Sequence, residues 1–266
     1  MNPALIFVLF IAASSGRSFP NRRIMNGIEA TPGQFPHQVS LLLTFGEQTM
    51  HCGGSLISHR YVLTAAHCLD RSEGGYVLIG AHNLDENVED HRIRIDFTPD
   101  DYNIHEEYFM ISMRNDIATL RLSSDVPFSD YVQPVHLPRW TDGDFTDYTG
   151  TIAGWGQYQD PSTGLSAVLN YITNPIYSNE WCKERFIMGM LIEDQNVCMS
   201  GANGRSACVG DSGGPVTVQV GPNTVQIGVF SFGPASHCLD EIPIVCARVS
   251  YYLGWIQANS DVIIEM

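Results

Sequence analysis

The sequence predicts an all-β protein, and three observations carry that prediction. Short runs rich in β-branched, aromatic or leucine residues recur at 38–43, 61–64, 76–79, 93–97, 150–153, 216–220 and 225–230. Gly, Pro, Asp and Asn separate them at short intervals, as turns require. Helical periodicity is scarce. Val249, Tyr252, Leu253 and Ile256 share one helix face near the carboxyl end, and residues 179–186 form a shorter candidate. Many short strands with frequent turns suit barrels or sandwiches.

The chain has 266 residues, enough for one large domain or two small ones, and 44% of them are hydrophobic, enough to build a core. The balance is acidic, with a formal net charge of −15 and a single lysine, Lys183. Binding a phosphate backbone needs clustered Lys and Arg, so nucleic acid is excluded as a partner. The acidity itself reads as solubility.

Residues 3–13 are apolar and are followed by Ser14, Ser15 and Gly16. Spanning a bilayer takes about 20 residues, so this run fits a secretory signal over 1–16 instead. No basic residue precedes it, which is atypical for such a signal. No later run is long enough to span, so secretion without a membrane partner is expected. Seven cysteines agree, because an oxidising compartment lets disulfides persist. No pair has the close spacing of a structural zinc site. A short segment, 17–23, ends in Arg22-Arg23. The stretch 132–138, with Pro134 and Pro138, reads as a connector between two halves.

Three motifs carry chemistry. In Gly210-Asp211-Ser212-Gly213-Gly214-Pro215 the glycines let the backbone turn sharply and aim two N–H groups at one spot. Such donors stabilise the oxyanion formed when a serine attacks a carbonyl. A plain glycine-rich β-turn is the alternative reading of that string. In Leu63-Thr64-Ala65-Ala66-His67-Cys68 a histidine, the natural base near neutrality, follows a strand end and precedes a cysteine. In Asn115-Asp116-Ile117-Ala118-Thr119-Leu120 a carboxylate among apolar residues predicts partial burial, hence a need for hydrogen-bond donors.

Taken together, His67, Asp116 and Ser212, separated by 49 and 96 residues, resemble the triad of the chymotrypsin-like serine peptidases. The resemblance runs from Ile24 to about Gln257 and includes Cys52-Gly53-Gly54-Ser55-Leu56-Ile57, Gly154-Trp155-Gly156, Ser231-Phe232-Gly233 and Trp255-Ile256. It implies two six-stranded antiparallel β-barrels with a C-terminal helix, the first over about 24–131 and the second over about 132–266. Ser212 is then the nucleophile, His67 its base and Asp116 the residue that holds the base. The N–H groups of Gly210 and Ser212 form the oxyanion hole, and Ser231 lies beside the aspartate.

The resemblance also implies activation. Arg23-Ile24-Met25-Asn26-Gly27 resembles the family's cleavage site, so 17–23 would be an activation propeptide. Cutting after Arg23 would free the Ile24 ammonium to pair with Asp211. A polar spacer is the alternative reading of Arg22-Arg23. Family spacing suggests the disulfides Cys52–Cys68, Cys182–Cys198 and Cys208–Cys238, leaving Cys246 as a buried thiol. Ser206 would lie at the floor of the specificity pocket, Ser231 and Phe232 would belong to it, Gly233 would leave its mouth open, Cys208–Cys238 would hold its wall, and Ile244 would narrow it. A neutral, narrowed floor predicts preference for medium aliphatic residues, with cleavage after Arg left to a separate trypsin-like activator.

Phe232 and Tyr252-Leu253-Gly254-Trp255 look similar to arthropod brachyurin-type and insect chymotrypsin-like enzymes, several of them digestive. No cofactor and no metal are expected. The loop after Gly80 carries Asp85, Glu86, Glu89 and Asp90, but Ala81 stands where calcium-binding relatives have a carboxylate. The expected partners are protein or peptide substrates, the activator and protein inhibitors, and the expected state is a monomer. A non-catalytic protease homologue acting by binding is the alternative from another class.

Overall fold

The computed structural model describes residues 27–85, 89–157, 164–186, 188–233 and 241–266. The expected signal and propeptide, including Arg23 and Ile24, lie outside the described residues, as do Glu86 and Cys238.

Among the described residues the chain is all-β with three short α-helices. A two-residue strand, β1 (Ile28–Glu29), comes first. The first half then supplies β2 (Gln38–Phe45), β3 (Gln48–Leu56), β4 (Tyr61–Thr64), helix α1 (Ala66–Leu69), β5 (Gly75–Ile79), β6 (Ile93–Phe97), β7 (Tyr102–Ile104) and β8 (Ala118–Arg121). The second half supplies β9 (Thr149–Gly154), β10 (Asn170–Tyr177), α2 (Asn179–Lys183), β11 (Asn196–Met199), β12 (Pro215–Val220), β13 (Asn223–Phe232), β14 (Ile244–Arg248) and α3 (Leu253–Ala258). The strand expectations at 61–64 and 93–97 match at both ends.

The second half is a closed six-stranded antiparallel barrel, β10-β11-β14-β13-β12-β9, because β9 pairs with both β12 and β10. The first half is a curled antiparallel sheet in the order β6-β5-β2-β3-β4-β8-β7, with no hydrogen-bonded ladder joining its ends among the described residues. It therefore differs from a six-stranded closed barrel by one extra short strand and an open seam. Side chains close it instead. Leu41, Leu43, Leu56, Leu63, Val77, Ile79 and Leu120 alternate inward along their strands and pack into one core.

Each half is strapped to the other by a segment from its partner. β1 pairs with β10, so the start of the described chain belongs to the second sheet. At the other end, Tyr252, Leu253 and Ile256 join the core of the first half. Leu253 and Ile256 are sealed from water, and burial of each contributes about 2 kcal/mol. The connector follows the same logic, since His136 bridges Val225 while Val135 N donates to Leu56 O.

The carboxyl-terminal helix is shorter than its apolar spacing suggested. A 3-10 turn over Val249–Tyr251 precedes α3, and Tyr252 between them leaves helical geometry at φ −101°, ψ 11°. Its hydroxyl is thereby brought to Asn115 and Gln195 of other elements. The candidate over 179–186 is helical only to Lys183, with Ser178 Oγ capping its start by accepting from Trp181 N.

Candidate active site

His67 lies in the first turn after β4. Thr64 ends the strand, extended Ala65 turns the chain, and α1 begins at Ala66 with no side-chain cap. The disulfide Cys52–Cys68 ties this turn to β3. Asp116 lies just ahead of β8, 1% exposed, and its carboxylate is saturated with donors. His67 N donates to Oδ1 at 2.8 Å, His67 Nδ1 donates to Oδ2 at 2.8 Å, and Ser231 Oγ donates to Oδ2 at 2.5 Å.

Burial opposes charge on both partners, and each supplies what the other needs. For His67, desolvation pulls its pKa down, but the Asp116 charge and hydrogen bond outweigh it and the net shift is upward. For Asp116, desolvation pushes up, while His67 and Ser231 outweigh it and hold the carboxyl below its ordinary value. The pair is therefore an imidazole primed to accept a proton against a carboxylate that stays ionised.

Ser212 reaches this neighbourhood through its backbone. Its carbonyl accepts from Gly53 N at 2.7 Å. Gly213, at φ +79°, lies so close to β4 that a Cβ there would overlap Thr64 Oγ1 and meet Ala65 N at 3.1 Å. Only glycine fits that position, and the fit locks the serine turn against the strand end that presents His67. Gly210 is likewise at φ +97°, with Leu165 resting on it. Among the described residues, the N–H groups of Gly210 and Ser212 have no acceptor.

Between them, Asp211 is turned inward and buried. Gly156 N donates to Oδ1 at 2.8 Å and Cys208 N to Oδ2 at 2.9 Å. Desolvation dominates those two bonds and raises its pKa to about 6. A carboxylate placed this way is stabilised by a positive charge brought to it.

Of the expected pocket residues, Ser206 and Ile244 are sealed at 1% and 0% exposure. Ser206 Oγ donates to Ala207 O at 3.0 Å, and Ala207 packs in one cluster with Ile244, Phe230, Met199 and Cys246. Phe232 packs against Phe186, whereas a Cβ at Gly233 would meet only the Phe230 ring at 3.6 Å, an ordinary contact. The structure pairs Cys182 with Cys198. Cys208 is also disulfide-bonded, but the expected partner Cys238 lies outside the described residues. Cys246 is a free thiol, and burial pushes its pKa upward. In the loop after Gly80, the Glu89 carboxylate is committed to the N–H groups of His82 and Asn83.

The motifs did not reveal His51. Its Nδ1 lies 2.9 Å from Gly210 O, which can only accept, so Nδ1 carries the proton. Nε2 then accepts from Ser40 Oγ at 2.8 Å. Burial lowers the His51 pKa and keeps this neutral tautomer, so the peptide next to Ser212 is held by a ring 159 residues away in sequence. Position beside the Cys52-Gly53-Gly54 motif was the only local signal.

Comparison with known proteins places this geometry. The family model described as Trypsin matches residues 24–256. Brachyurin of Leptuca pugilator is 37% identical over 239 residues, covering 90% of this chain and 99% of that protein. Chymotrypsin of Phaedon cochleariae is 36% identical, covering 91% and 84% respectively. The solved structure of HL collagenase superposes with a TM-score of 0.79 at 30% identity, covering 91% of this chain and all of that one. The chain belongs to the trypsin family and is a serine endopeptidase.

Proposed function

We propose that this endopeptidase works through His67, Asp116 and Ser212, is secreted as a precursor activated by cleavage after Arg23, and prefers apolar residues before the scissile bond. The observation that carries the reading is the Asp116 carboxylate, sealed from water and accepting from His67 N, His67 Nδ1 and Ser231 Oγ. A carboxylate so held fixes the proton on Nδ1 and leaves the Nε2 lone pair for the Ser212 hydroxyl. Ser212 Oγ attacks the scissile carbonyl carbon as its proton passes to Nε2. The carbonyl oxygen becomes an oxyanion and takes hydrogen bonds from Gly210 N and Ser212 N. The imidazolium then protonates the departing amine, leaving an acyl-enzyme. Water, deprotonated by His67, repeats the sequence and releases the acid and free Ser212.

Because His67 must begin neutral and its pKa is raised, kcat/KM of the free enzyme rises with pH through a midpoint above 6.5. A pH series on one peptide substrate reads this directly, and a midpoint below 6.5 would contradict the assigned base.

Activation follows from Asp211. The Ile24 ammonium freed by cleavage supplies the positive charge that the buried carboxylate calls for, ordering the adjacent oxyanion turn. The sealed Ser206 and Ile244 offer no acidic partner to Arg or Lys, so a separate trypsin-like protease is the activator. The intact precursor, treated with trace trypsin that is then blocked, is assayed on peptides ending in Leu, Ala, Phe, Tyr and Arg. Expected is activity only after the Ile24 terminus appears, with Leu or Ala preferred and Arg inert. In Ile244→Gly the preference moves toward Phe and Tyr by roughly 10-fold, the scale of a pocket gaining a few methylenes of room. Fast Tyr cleavage by the unaltered enzyme would discard the narrowed pocket. Silence on every substrate, with the Ile24 terminus verified, would return the chain to a non-catalytic homologue that binds.

A further inference from the structure

Asn115, the residue before Asp116, is a non-glycine residue at φ +52°, in the left-handed region that Asn tolerates better than most. Each of its polar groups is engaged. Its N–H donates to Gln195 Oε1 at 3.0 Å, and its carbonyl accepts from Ile117 N at 2.8 Å. Its Nδ2 donates to Glu107 O at 2.9 Å, and its Oδ1 accepts from Tyr252 Oη at 3.0 Å. The Ile117-to-Asn115 bond encloses Asp116 in a three-residue turn, so the direction of the Asp116 side chain is set by the Asn115 backbone.

Two of these four bonds come from the other half of the molecule. Gln195 lies immediately before β11 and is 4% exposed, and Tyr252 lies immediately before α3. They are joined to each other, because the single Tyr252 hydroxyl proton is shared between Asn115 Oδ1 and Gln195 Oε1, the shorter contact being the one to Gln195 at 2.6 Å. Gln195 is itself fixed. Its carbonyl accepts from Arg248 N at 2.7 Å, and its Nε2 donates at 3.1 Å to Glu193, which pairs with Arg114. A single buried oxygen, Gln195 Oε1, thus receives one donor from the segment carrying Asp116 and one from the segment leading into the terminal helix.

We propose that Gln195, with Tyr252, is a positioning residue for Asp116: it clamps the Asn115 backbone to the second half of the molecule, so that the Asp116 carboxylate meets His67 and Ser231 at once. The proposal deepens the reading of Asp116 as the residue that holds the base, and rests on it. Asp116 and His67 come from the first half, whereas Ser231 comes from the second. A clamp at the residue next to Asp116 keeps their register where the three bonds converge.

The test uses the full chain, activated, on a Leu-terminated peptide. Gln195→Met keeps length and removes the acceptor; kcat is expected to fall roughly 10- to 100-fold with KM within about 2-fold, because displacement near 1 Å at a catalytic group costs on that order. Gln195→Glu combined with Glu193→Gln restores an acceptor oxygen for both donors while an amide again faces a carboxylate across the 193–195 contact, and should bring kcat back to within about 3-fold of the unaltered enzyme. Should Gln195→Met fail to fold, Tyr252→Phe, which removes one oxygen, carries the same kcat-against-KM comparison. Unchanged kcat in the folded variant overturns the clamp. So does a loss that the paired Gln195→Glu and Glu193→Gln change leaves in place while Tm falls and KM rises, which is the pattern of a purely structural bond. Asp116→Asn is measured alongside. If it retains full kcat, the reading of Asp116 fails, whatever Gln195 does.

Discussion

Ser212→Ala in the activated enzyme lowers kcat by on the order of 10⁶, the scale seen when the nucleophile of such a unit is removed. Without Oγ there is no acyl-enzyme, and the Asp116–His67 pair has nothing to deprotonate. What remains is the proposed oxyanion pair at Gly210 and Ser212 plus substrate binding, which together are expected to leave a residual acceleration over water of about 10³ to 10⁴. The fold is untouched, because the links of this turn to the first half are made by the Ser212 carbonyl and by Gly213 rather than by the hydroxyl. Melting temperature and KM should therefore match those of the unaltered enzyme. Single-turnover kinetics on a Leu-terminated peptide reads the loss, and a variant retaining more than about 1% of kcat would move the nucleophile elsewhere, since a tenfold rate is worth only about 1.4 kcal/mol.

Burial lowers the pKa of His37 and His51 and costs both forms stability as pH falls; against that shared background, the uncleaved chain gains on the cleaved one as pH falls from 6 toward 4. Asp211 is the cause. Its folded pKa is raised from 3.8 to about 6 by burial, so between those values the folded state holds a proton that the unfolded state has released. The contribution is fully present below 3.8 and is lost as pH climbs through 6. In magnitude it is about 3 kcal/mol. Cleavage after Arg23 reverses the sign. An ammonium beside Asp211 depresses its pKa, and that stabilisation is then lost as pH falls. Urea unfolding from pH 4 to 7.5, on Ser212→Ala before and after trypsin treatment, isolates the Asp211–Ile24 pair, since apart from the new Ile24 amine the titrating side chains from residue 24 onward are common to both forms. The two stability curves should diverge on the acid side. Parallel curves would mean that Ile24 and Asp211 never meet.

Much of the site was legible because its parts are local. A small-residue strand end leading to His67-Cys68, a glycine-rich turn around Ser212 and a carboxylate ahead of an apolar strand are each encoded within a few residues. The β-runs at 61–64 and 93–97 follow from the same short-range chemistry of β-branched and aromatic side chains. Asp116 is only half local: its sequence neighbours predict burial, whereas its partner Ser231, 115 residues away, was expected from the family resemblance alone and not from any pattern near it.

By itself, the sequence determined the all-β class, the three chemical motifs and the cysteines able to tie them, because strand patterns, turns and motif strings act over a few residues. Only the tertiary structure decided that β1 crosses to the second sheet, that the first sheet keeps an open seam among the described residues, and that the apolar face near the carboxyl end breaks at Tyr252. The same holds for the His51 bond to Gly210 and the Gln195 bond to Asn115, which span 159 and 80 residues. Such pairings have no local signature, since they form where two independently patterned halves pack and their leftover donors and acceptors must be satisfied away from water.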